Sequence, residues 1–511
     1  MLTMSNAISV DALHAWELLP DDLIFLIFNH LPACVLIKAS EVCKRWHRIA
    51  QDEFLWRDLL ILDWKVPPNT RLPLKVGSWR QEYKRLFFHA PLVESEVLDD
   101  HSDQVLHVSY SHNGQLFATS SKDCHIKVWQ SDYPAYRKFN VHMKNLNWKY
   151  TQFSQFNQND TLLLVSGVYD GPFNFFGEIA VFTISPDSFQ LLNRVRNDPF
   201  DVFGTWYNET CLISGNLLRL GHLNSSCYLW LNRAMRSPQA TGDPFLRLFN
   251  FRNRNASSVR TIQVAKCQRK GQECNATNCC CGKCDETPAP VLEASGGDGD
   301  RLFIFTTGTK CCSPHQIGIK RILEADTAHL SSQRLKPELK GNDDMVDGAK
   351  FDAPDHLIEM HGHIIGMCLS QDNRYLYVNS RPWPQGAEIQ DPLNAPPIAQ
   401  EIDIHVIDLW KMRDLGVCHR AHKAYTPNDE CFFIFLDVSD LYVASGAEDH
   451  HGYLWDRHWG VCLQQYNHDD VVNCVAFNPC DSEVLVTVSD DNKVKIWRSR
   501  NRRKLLASTR L

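Results

Sequence analysis

The chain has 511 residues, of which 44% are hydrophobic and 22% charged, and its formal net charge is −7. This composition is typical of a globular protein with several domains or one large repeat architecture, and the negative charge gives no support for nucleic-acid binding. The first residues, MLTMSNAISVDALHAW, lack the basic start and apolar run of a signal peptide, and no later stretch is apolar enough to span a membrane. Most of the 19 cysteines lie singly in strand-like runs, so we expect free thiols and a cytoplasmic protein.

A strongly apolar helical segment, residues 17–62, follows an N-terminal tail at 1–16. One helical face is predicted by apolar residues that recur every four positions, Leu19, Leu23, Ile27 and Leu31. Pro20 and Pro32 mark the start and end of this first helix. Spacings of three and four from Val35 to Ile49 predict a second helix, and DEFLW predicts a third. Three helices of about 45 residues form a marginal core, so we expect part of the apolar surface to contact a partner.

The pattern changes after residue 62. Residues 63–91 read as a proline-rich linker with one short helix near SWRQEYKRLFFHAP. From residue 92 onward, short alternating segments with turn residues between them replace helical periodicity. The remainder of the chain is therefore predicted to be all-β.

Internal repeats organise this β region, since the segments 101–129, 422–455 and 468–497 align with one another. Each opens on His and closes on Trp, with Asp six residues before the Trp and a hydroxyl residue four before the Asp. The three sets are His101, Thr119, Asp123 and Trp129; His422, Ser445, Asp449 and Trp455; and His468, Thr487, Asp491 and Trp497. An Asp in a tight turn can accept from the His, while the hydroxyl orients the His and the indole N–H. We therefore interpret the sets as structural networks and not as catalytic triads.

This repeat resembles the WD40 repeat, in which the same four residue types fix one blade of a propeller. Four further segments keep the spacing of strands and loops but lack the complete signature: 161–184, 210–231, 301–323 and 361–410. The resemblance implies a seven-bladed WD40 β-propeller over residues 92–511, with insertions near 235–292, 324–356 and 382–397.

Closure of the ring is predicted to use LVESEVL (92–98), which alternates and has no earlier blade to join. We expect it to pair beside KVKIW (493–497) and thereby remove two sheet edges. The competing strand is the tail SRNRRKLLAS, but its crowded cations favour a solvated extension.

The helical segment resembles the F-box, which attaches ubiquitin-ligase receptors to a Skp-type adaptor. The matching residues are predicted to bind the adaptor: Leu19, Pro20, Leu23, Ile27, Phe28, Leu31, Val42, Cys43, Trp46, Leu55 and Trp56. Together with the propeller, the chain resembles the F-box/WD repeat family. That resemblance implies a non-catalytic subunit without cofactors, which contacts the adaptor and a cullin-1 scaffold and binds protein substrates. A WD40 scaffold outside any ligase, with the helices docking an unrelated partner, stays an alternative.

A second attachment known in this family leads to cullin-4 through a propeller adaptor that recognises Trp-Asp-x-Arg. This sequence departs from the motif at both candidate positions. Trp455-Asp456-Arg457 places the Arg one residue early, and Trp497-Arg498-Ser499-Arg500 lacks the Asp. The cullin-4 route is therefore expected to rank below the F-box route.

A cysteine-rich stretch, CQRKGQECNATNCCCGKC, raises the possibility of zinc. Cys281 and Cys284 have the two-residue spacing that lets both thiolates reach one ion, and Cys267 and Cys274 would supply a second pair at a wider spacing. We interpret the stretch as a loop without metal and keep these four as zinc candidates. No phosphate-binding loop, GxSxG or HExxH motif indicates catalysis.

Overall fold

A computed structural model describes residues 18–73, 76–172, 175–198, 203–219, 224–235, 246–254, 261–266, 299–324, 351–415, 419–423 and 433–508. The chain divides into a helical unit that ends at Ala90 and a β unit that begins at Pro91. None of the helices in the described ranges has both the length and the apolar character needed to cross a lipid bilayer.

The helical unit contains five α-helices and one π-helical turn among its described residues. They are α1 (Asp21–Phe28), α2 (Ala33–Ala39), α3 (Lys44–Ala50), α4 (Glu53–Trp64), α5 (Trp79–Lys84) and the turn Arg85–His89. Pro20 precedes α1, as the sequence predicts. Pro32, predicted to end the first helix, instead precedes α2, because α1 already ends at Phe28. The predicted second helix is divided, because Cys43 is extended and its Sγ accepts from the Trp46 amide, which starts α3.

Part of the predicted linker belongs to the core of the helical unit. Tyr83 and Leu86, on α5 and the π-helical turn, are buried. The Tyr83 ring packs edge-on against Trp56 and Trp64 of α4, with centroids 5.3 and 4.7 Å away, and its hydroxyl donates to Asp63 at 2.5 Å. These contacts extend the helical unit beyond residue 62. Residues 63–91, predicted as a linker with one short helix, contain α5, which packs on α4.

The β unit is a seven-bladed propeller of antiparallel sheets. Its first strand, β1 (Val93–Leu98), belongs to blade seven. Blade one contains β2 (Val105–Tyr110), β3 (Leu116–Ser121), β4 (His125–Gln130) and β5 (Tyr136–His142). Blade two contains β6 (Trp148–Phe156), β7 (Leu162–Asp170), β8 (Phe175–Ser185) and β9 (Ser188–Asn197). Blade three contains β10 (Thr205–Trp206), β11 (Cys211–Arg219), β12 (Asn224–Arg233) and β13 (Leu246–Arg254).

The remaining blades follow in chain order. Blade four contains β14 (Ile262–Lys266), β15 (Arg301–Thr307), β16 (Gln316–Ile322) and β17 (His356–Glu359). Blade five contains β18 (Gly362–Leu369), β19 (Tyr375–Pro382), β20 (Glu401–Asp408), β21 (Arg413–Asp414) and β22 (His419–Lys423). Blade six contains β23 (Leu436–Val438), β24 (Tyr442–Ser445), β25 (His451–Asp456) and β26 (Cys462–Asn467). Blade seven contains β27 (Val472–Asn478), β28 (Asp481–Ser489) and β29 (Val494–Arg498), with β1 at its outer edge.

The predicted closure of the ring is confirmed. β1 pairs antiparallel with β29, from Val93 opposite Arg498 to Leu98 opposite Val494. Arg498 binds the carboxylate of Glu96 and the hydroxyl of Ser95, the latter at 2.9 Å, which ties the two ends of the propeller together. The tail forms a short helix, α6 (Arg500–Ser508), in which no residue is buried.

The predicted insertion at 235–292 is wrong in part, because two propeller strands lie inside it. β13 is the outer strand of blade three and β14 the inner strand of blade four. In LRLFNFRNR both faces of β13 carry apolar and polar residues, so the simple alternation that marks a half-buried strand is missing.

Candidate functional site

Helix α1 presents large apolar side chains to solvent. Leu23, Leu26 and Ile27 share one face at spacings of three and four, and they are 45%, 55% and 38% exposed. Val35 of α2 and Val42 of the following turn are 40% and 63% exposed. We call these five the exposed apolar residues. So many exposed aliphatic side chains on one small unit are typical of an interaction site.

The structure sorts the predicted adaptor residues into two groups. Pro20, Leu23, Ile27, Val42 and Cys43 are exposed, and Leu19, Leu31 and Trp46 are half-buried. Three others are corrected to core residues, since they have almost no exposed surface: Phe28, Leu55 and Trp56. Leu26 and Val35 were missed, because periodicity finds apolar stripes but does not tell which stripe the unit itself covers.

Buried contacts explain two of the three corrections, Trp56 and Phe28. The Trp56 indole N–H donates to the carbonyl of Ala50 at 2.8 Å inside the helical unit. Phe28 packs edge-on against Trp46, with centroids 5.4 Å apart. These aromatic contacts fix the helices that carry the exposed apolar residues.

Charged side chains join α1 to α3 beside this surface. The guanidinium Nε of Arg45 lies 2.6 Å from Asp21 Oδ1, and Arg48 binds the other carboxylate oxygen. Arg45 also donates to the carbonyl of Leu19. Hydrogen bonding from Arg45 holds the pKa of Asp21 below its usual range. The ionised carboxylate therefore joins the start of α1 to α3 through two ion pairs.

Blades one and seven contain the same hydrogen-bonded chain. His101 Nδ1 lies 2.8 Å from Asp123, its Nε2 lies 2.8 Å from Thr119 Oγ1, and the Trp129 indole donates to that oxygen at 2.9 Å. In blade seven the matching distances are 2.9 Å for His468–Asp491, 2.7 Å for His468–Thr487 and 2.9 Å for Trp497–Thr487. All of these links are internal to a blade.

The charge states of the hydrogen-bonded His and Asp side chains follow from their burial. Burial lowers the pKa of His101 and of His468, although the adjacent carboxylates oppose the shift. Burial opposes ionisation of Asp123, yet the hydrogen bond from His101 holds the pKa of this carboxyl below its usual range. A neutral imidazole beside an ionised carboxylate is a stable hydrogen-bonded pair at neutral pH. The groups have no access to a substrate, which fits a structural role.

Blade six departs from the predicted network. The Asp449 carboxylate accepts from the Tyr453 hydroxyl and, at 3.2 Å, from the His451 amide. Ser445 Oγ accepts from Asn379 Nδ2 at 2.8 Å and donates to the carbonyl of Gly446. The backbone of β22 is described, but the side chain of His422 lies outside the described part. Ser445 and Asp449 are therefore assigned to these contacts.

Two other charged sets, which the sequence motif did not reveal, involve blades two and five, which lack the repeat signature. In blade two, Glu178 accepts from the Trp148 indole at 2.5 Å and from Arg194 at 2.6 Å. Between blades five and six, Arg381 pairs with Glu448, and both side chains are buried. A buried ion pair is costly to break, because removal of one partner leaves an uncompensated charge.

Aromatic side chains of several blades form one cluster. Phe153 and Phe435 contact the ring of His107, with centroids 4.4 and 4.7 Å away, and Phe203 and Phe433 pack against these phenylalanines. Burial lowers the pKa of His107 to about 3, so its imidazole is neutral. The four phenylalanines belong to one hydrophobic core cluster of the propeller.

The zinc candidates Cys267, Cys274, Cys281 and Cys284 lie outside the described residues. Elsewhere in the described ranges, no three His, Cys, Asp or Glu side chains come together as metal ligands. The eleven cysteines whose positions are described are free thiols.

Comparison with known proteins identifies both units. The family model "F-box-like" matches residues 16–62, and the model "WD domain, G-beta repeat" matches 93–130 and 460–498. F-box/WD repeat-containing protein 5 of Mus musculus is 44% identical over 94% of this chain and 94% of its own length. Its counterparts in Rattus norvegicus and Homo sapiens are each 45% identical, over 94% and 96% of both chains. The chain belongs to the F-box/WD repeat-containing protein 5 family.

The matched ranges agree with the geometry. The F-box-like match covers α1 to α3 and most of α4, and so includes all five exposed apolar residues. The WD matches cover most of blades one and seven and the outer strand of blade six. Among the described side chains, blades one and seven show the complete hydrogen-bonded chain. In this family member the central blades keep the propeller fold through other contacts.

Proposed function

We propose that this chain is the substrate-recognition subunit of a cullin-RING ubiquitin ligase of the Skp–cullin-1–F-box type. The observation that carries the proposal is the set of apolar side chains that stay exposed on α1 and α2 within the F-box-like match. A Skp-type adaptor that covers Leu23, Leu26 and Ile27 would gain about 25 cal/mol for each Å² of apolar surface removed from water.

The propeller binds the protein substrate in this proposal. The chain makes and breaks no bond itself, but holds substrate near a ubiquitin-loaded enzyme on the cullin-1 scaffold and so raises its effective concentration. The substrate is then modified and degraded. Free thiols at all described cysteines support a reducing compartment, and we place the complex in the cytoplasm.

The second attachment, to a cullin-4 ligase, gains no support from blade six. Asp456 Oδ1 accepts from the amides of His458 and Trp459 at 2.9 and 2.8 Å, and Arg457 donates to the carbonyl of Ser439 at 2.8 Å. In blade seven Arg498 stands at the position of the motif Asp, and its guanidinium pairs with Glu96. We therefore favour the cullin-1 assembly.

Reconstitution tests the proposal. The full chain is co-expressed with a Skp-type adaptor and the adaptor-binding part of cullin-1, and the mixture is separated by size exclusion. We expect a 1:1:1 complex that is lost when Leu23 and Ile27 are both changed to Asp. Leu62→Asp is the control, because Leu62 is more exposed, at 74%, but lies near the end of α4. A chain that never associates with the adaptor, or binds it equally well after the double change, would overturn the proposal.

A further inference from the structure

A groove of about 530 Å³ opens between blades two and three of the propeller. Phe175 and Phe176 of β8 form its wall on blade two, and Leu217 and Leu218 of β11 form its wall on blade three. We call it the interblade groove. Phe175 is 52% exposed and Leu218 is 37% exposed. Exposed apolar side chains that line one concave site are typical of a binding site.

Hydrogen bonds join the two walls of the interblade groove. The Asp198 amide donates to the carbonyl of Gly215 at 3.0 Å, and the Leu217 amide donates to the carbonyl of Asp198 at 2.8 Å. The buried side chain of Asn197 also accepts from the Gly215 amide, at 2.7 Å. The groove is therefore preformed, which reduces the entropic cost of binding.

Arg196 of β9 presents a planar cation to the groove. Its guanidinium lies 4.7 Å from the centre of the Phe176 ring, and its Nε pairs with Asp198 at 2.7 Å. The Arg196 side chain is nevertheless 68% exposed. Among the described residues, Phe176 is the only ring that stacks on this guanidinium. The face of the guanidinium opposite Phe176 is therefore open to a second ring.

Blade five contains an arginine with both rings in place. The guanidinium of Arg374 lies 4.9 Å from the centre of the Tyr375 ring and 4.3 Å from the centre of the Trp410 ring. Arg374 also pairs with Asp408 at 3.7 Å, and its side chain is only 12% exposed. A carboxylate binds the N–H edge of a guanidinium, whereas aromatic rings stack on its faces. The ion pair of Arg196 is therefore compatible with a second aromatic contact.

The charges at the groove balance. Arg196 and Lys149 supply two cations, and the amine of Lys149 lies 5.7 Å from the centre of the Phe175 ring. Asp198 and Asp170, which stands opposite Phe175 in the β7–β8 pairing, supply two carboxylates. A ligand therefore gains little from a net charge of either sign. The apolar walls and the open face of Arg196 favour an aromatic side chain instead.

We propose that the interblade groove binds an extended segment of the protein substrate through an aromatic side chain. The ring of that side chain stacks on the open face of Arg196 and packs between Phe175 and Leu218. The inference rests on the proposed function, because it gives substrate recognition by the propeller a defined place. It also defines the class of substrate, which is a protein with an accessible aromatic residue in an extended segment of no required charge.

Peptide selection tests the proposal. Random peptides displayed on phage are selected on the full chain, and the affinities of the enriched peptides are measured by fluorescence polarisation. We expect the enriched peptides to share a Phe, Tyr or Trp without a common net charge. Peptides that lack an aromatic residue, or a selection that enriches no peptide, would overturn the proposal.

Three variants locate the bound peptide. Phe175→Asp should weaken binding at least ten-fold, about 1.4 kcal/mol. Arg196→Lys, which keeps the charge but not the planar face, should weaken it about three-fold or more. Tyr136→Asp is the matched control, because Tyr136 is 52% exposed like Phe175 but lies on β5 of blade one, and it should stay within two-fold. Equal binding by all three variants and the wild type would place the peptide elsewhere and overturn the proposal.

Ubiquitination of a fused peptide separates this proposal from the proposed function. An enriched peptide is fused to an inert protein with accessible lysines and offered to the reconstituted ligase. The wild-type complex should modify the fusion, whereas the Phe175→Asp complex, with unchanged thermal unfolding, should not. An assembled ligase that binds the fusion without modifying it would overturn the groove as a substrate site. If no ligase assembles although the peptide binds, the proposed function fails and the groove stands as a peptide site.

Discussion

Thr119 and Thr487 each hydrogen-bond to two side chains in the two regular blades. Their hydroxyl oxygens accept from a tryptophan indole and lie 2.7–2.8 Å from a histidine Nε2, while the same histidine binds an aspartate through Nδ1. Because Nδ1 donates to the carboxylate, Nε2 is an acceptor for the threonine hydroxyl. One buried hydroxyl therefore acts as both donor and acceptor.

Removing this hydroxyl from blade seven should destabilise the propeller. Thr487→Val keeps the shape of the side chain but leaves His468 Nε2 and the Trp497 indole without a partner, at a cost of about 1–3 kcal/mol. Thr183→Val on strand β8 is the matched control, and it should change the free energy of unfolding by less than about 0.5 kcal/mol. Urea unfolding at pH 7 measures both. Equal stability of the two variants would contradict a structural role for these hydrogen-bonded side chains.

His107 makes stability depend on pH. Its pKa is near 6.5 when unfolded and about 3 when folded, so between these values the unfolded chain binds more protons. Stability is therefore full above about pH 6.5 and falls as the solution is acidified. From pH 7 to pH 5 we expect the loss of about 2 kcal/mol from this residue.

The variant His107→Gln isolates this contribution, because Gln does not titrate. Burial also depresses the pKa of His101 and His468, so the variant keeps part of the pH dependence. The change in unfolding free energy between pH 7 and pH 5 should be smaller in the variant by about 2 kcal/mol. An unchanged difference would show that His107 is not neutral in the folded protein.

At the scale of elements, β1 and α6 leave the same end of blade seven with different roles. β1 pairs with the edge strand β29 along its length, whereas none of the residues of α6 is buried. An unpaired edge strand is a template for association with other chains. The stability of the ring therefore depends on β1 and not on α6.

Replacement of these elements tests that difference. Substituting residues 93–98 by a Gly/Ser segment of equal length should expose the edge of β29 and give soluble aggregates in light scattering. Truncation after Arg502 should leave the melting temperature unchanged within about 1 °C, since no buried surface is lost. Aggregation of the truncated chain alone would show that the tail, and not β1, closes the ring.

The elements found from the sequence share a strong local signal. Pro20 marked the start of α1, and the His-to-Trp repeats located blades one and seven with their internal hydrogen bonds. β13 and β14 were placed in an insertion, because the apolar residues of β13 occupy both faces. The division between α2 and α3 depends on an extended backbone at Cys43, which spacing alone does not encode.

The candidate site was only partly predictable for a related reason. The resemblance to the F-box assigned Leu23 and Ile27 to the adaptor, but it also assigned Phe28, Leu55 and Trp56, although the unit covers them itself. The burial of Trp56 depends in part on Tyr83 of α5, which the sequence placed in a linker.

At the scale of the whole molecule, the chain divides at residues 90 and 91 into a helical unit, to which we assign the adaptor, and a propeller, to which we assign the substrate. A fragment of residues 91–511 should therefore keep the affinity of the full chain for a substrate within two-fold, and should not bind the adaptor. In cells it should raise the level of that substrate, because it holds the substrate away from the ligase. Loss of substrate binding in a folded fragment would contradict this division.

The measurement that tests the central claim most directly is calorimetric titration of the purified Skp-type adaptor into the full chain. We predict a 1:1 complex with a dissociation constant below about 1 μM, that is, more than 8 kcal/mol of binding free energy. The Leu23→Asp, Ile27→Asp variant should give no binding heat while its thermal unfolding stays that of the wild type. A folded wild-type chain that shows no binding heat at 100 μM adaptor, about 100-fold above that constant, would contradict the account.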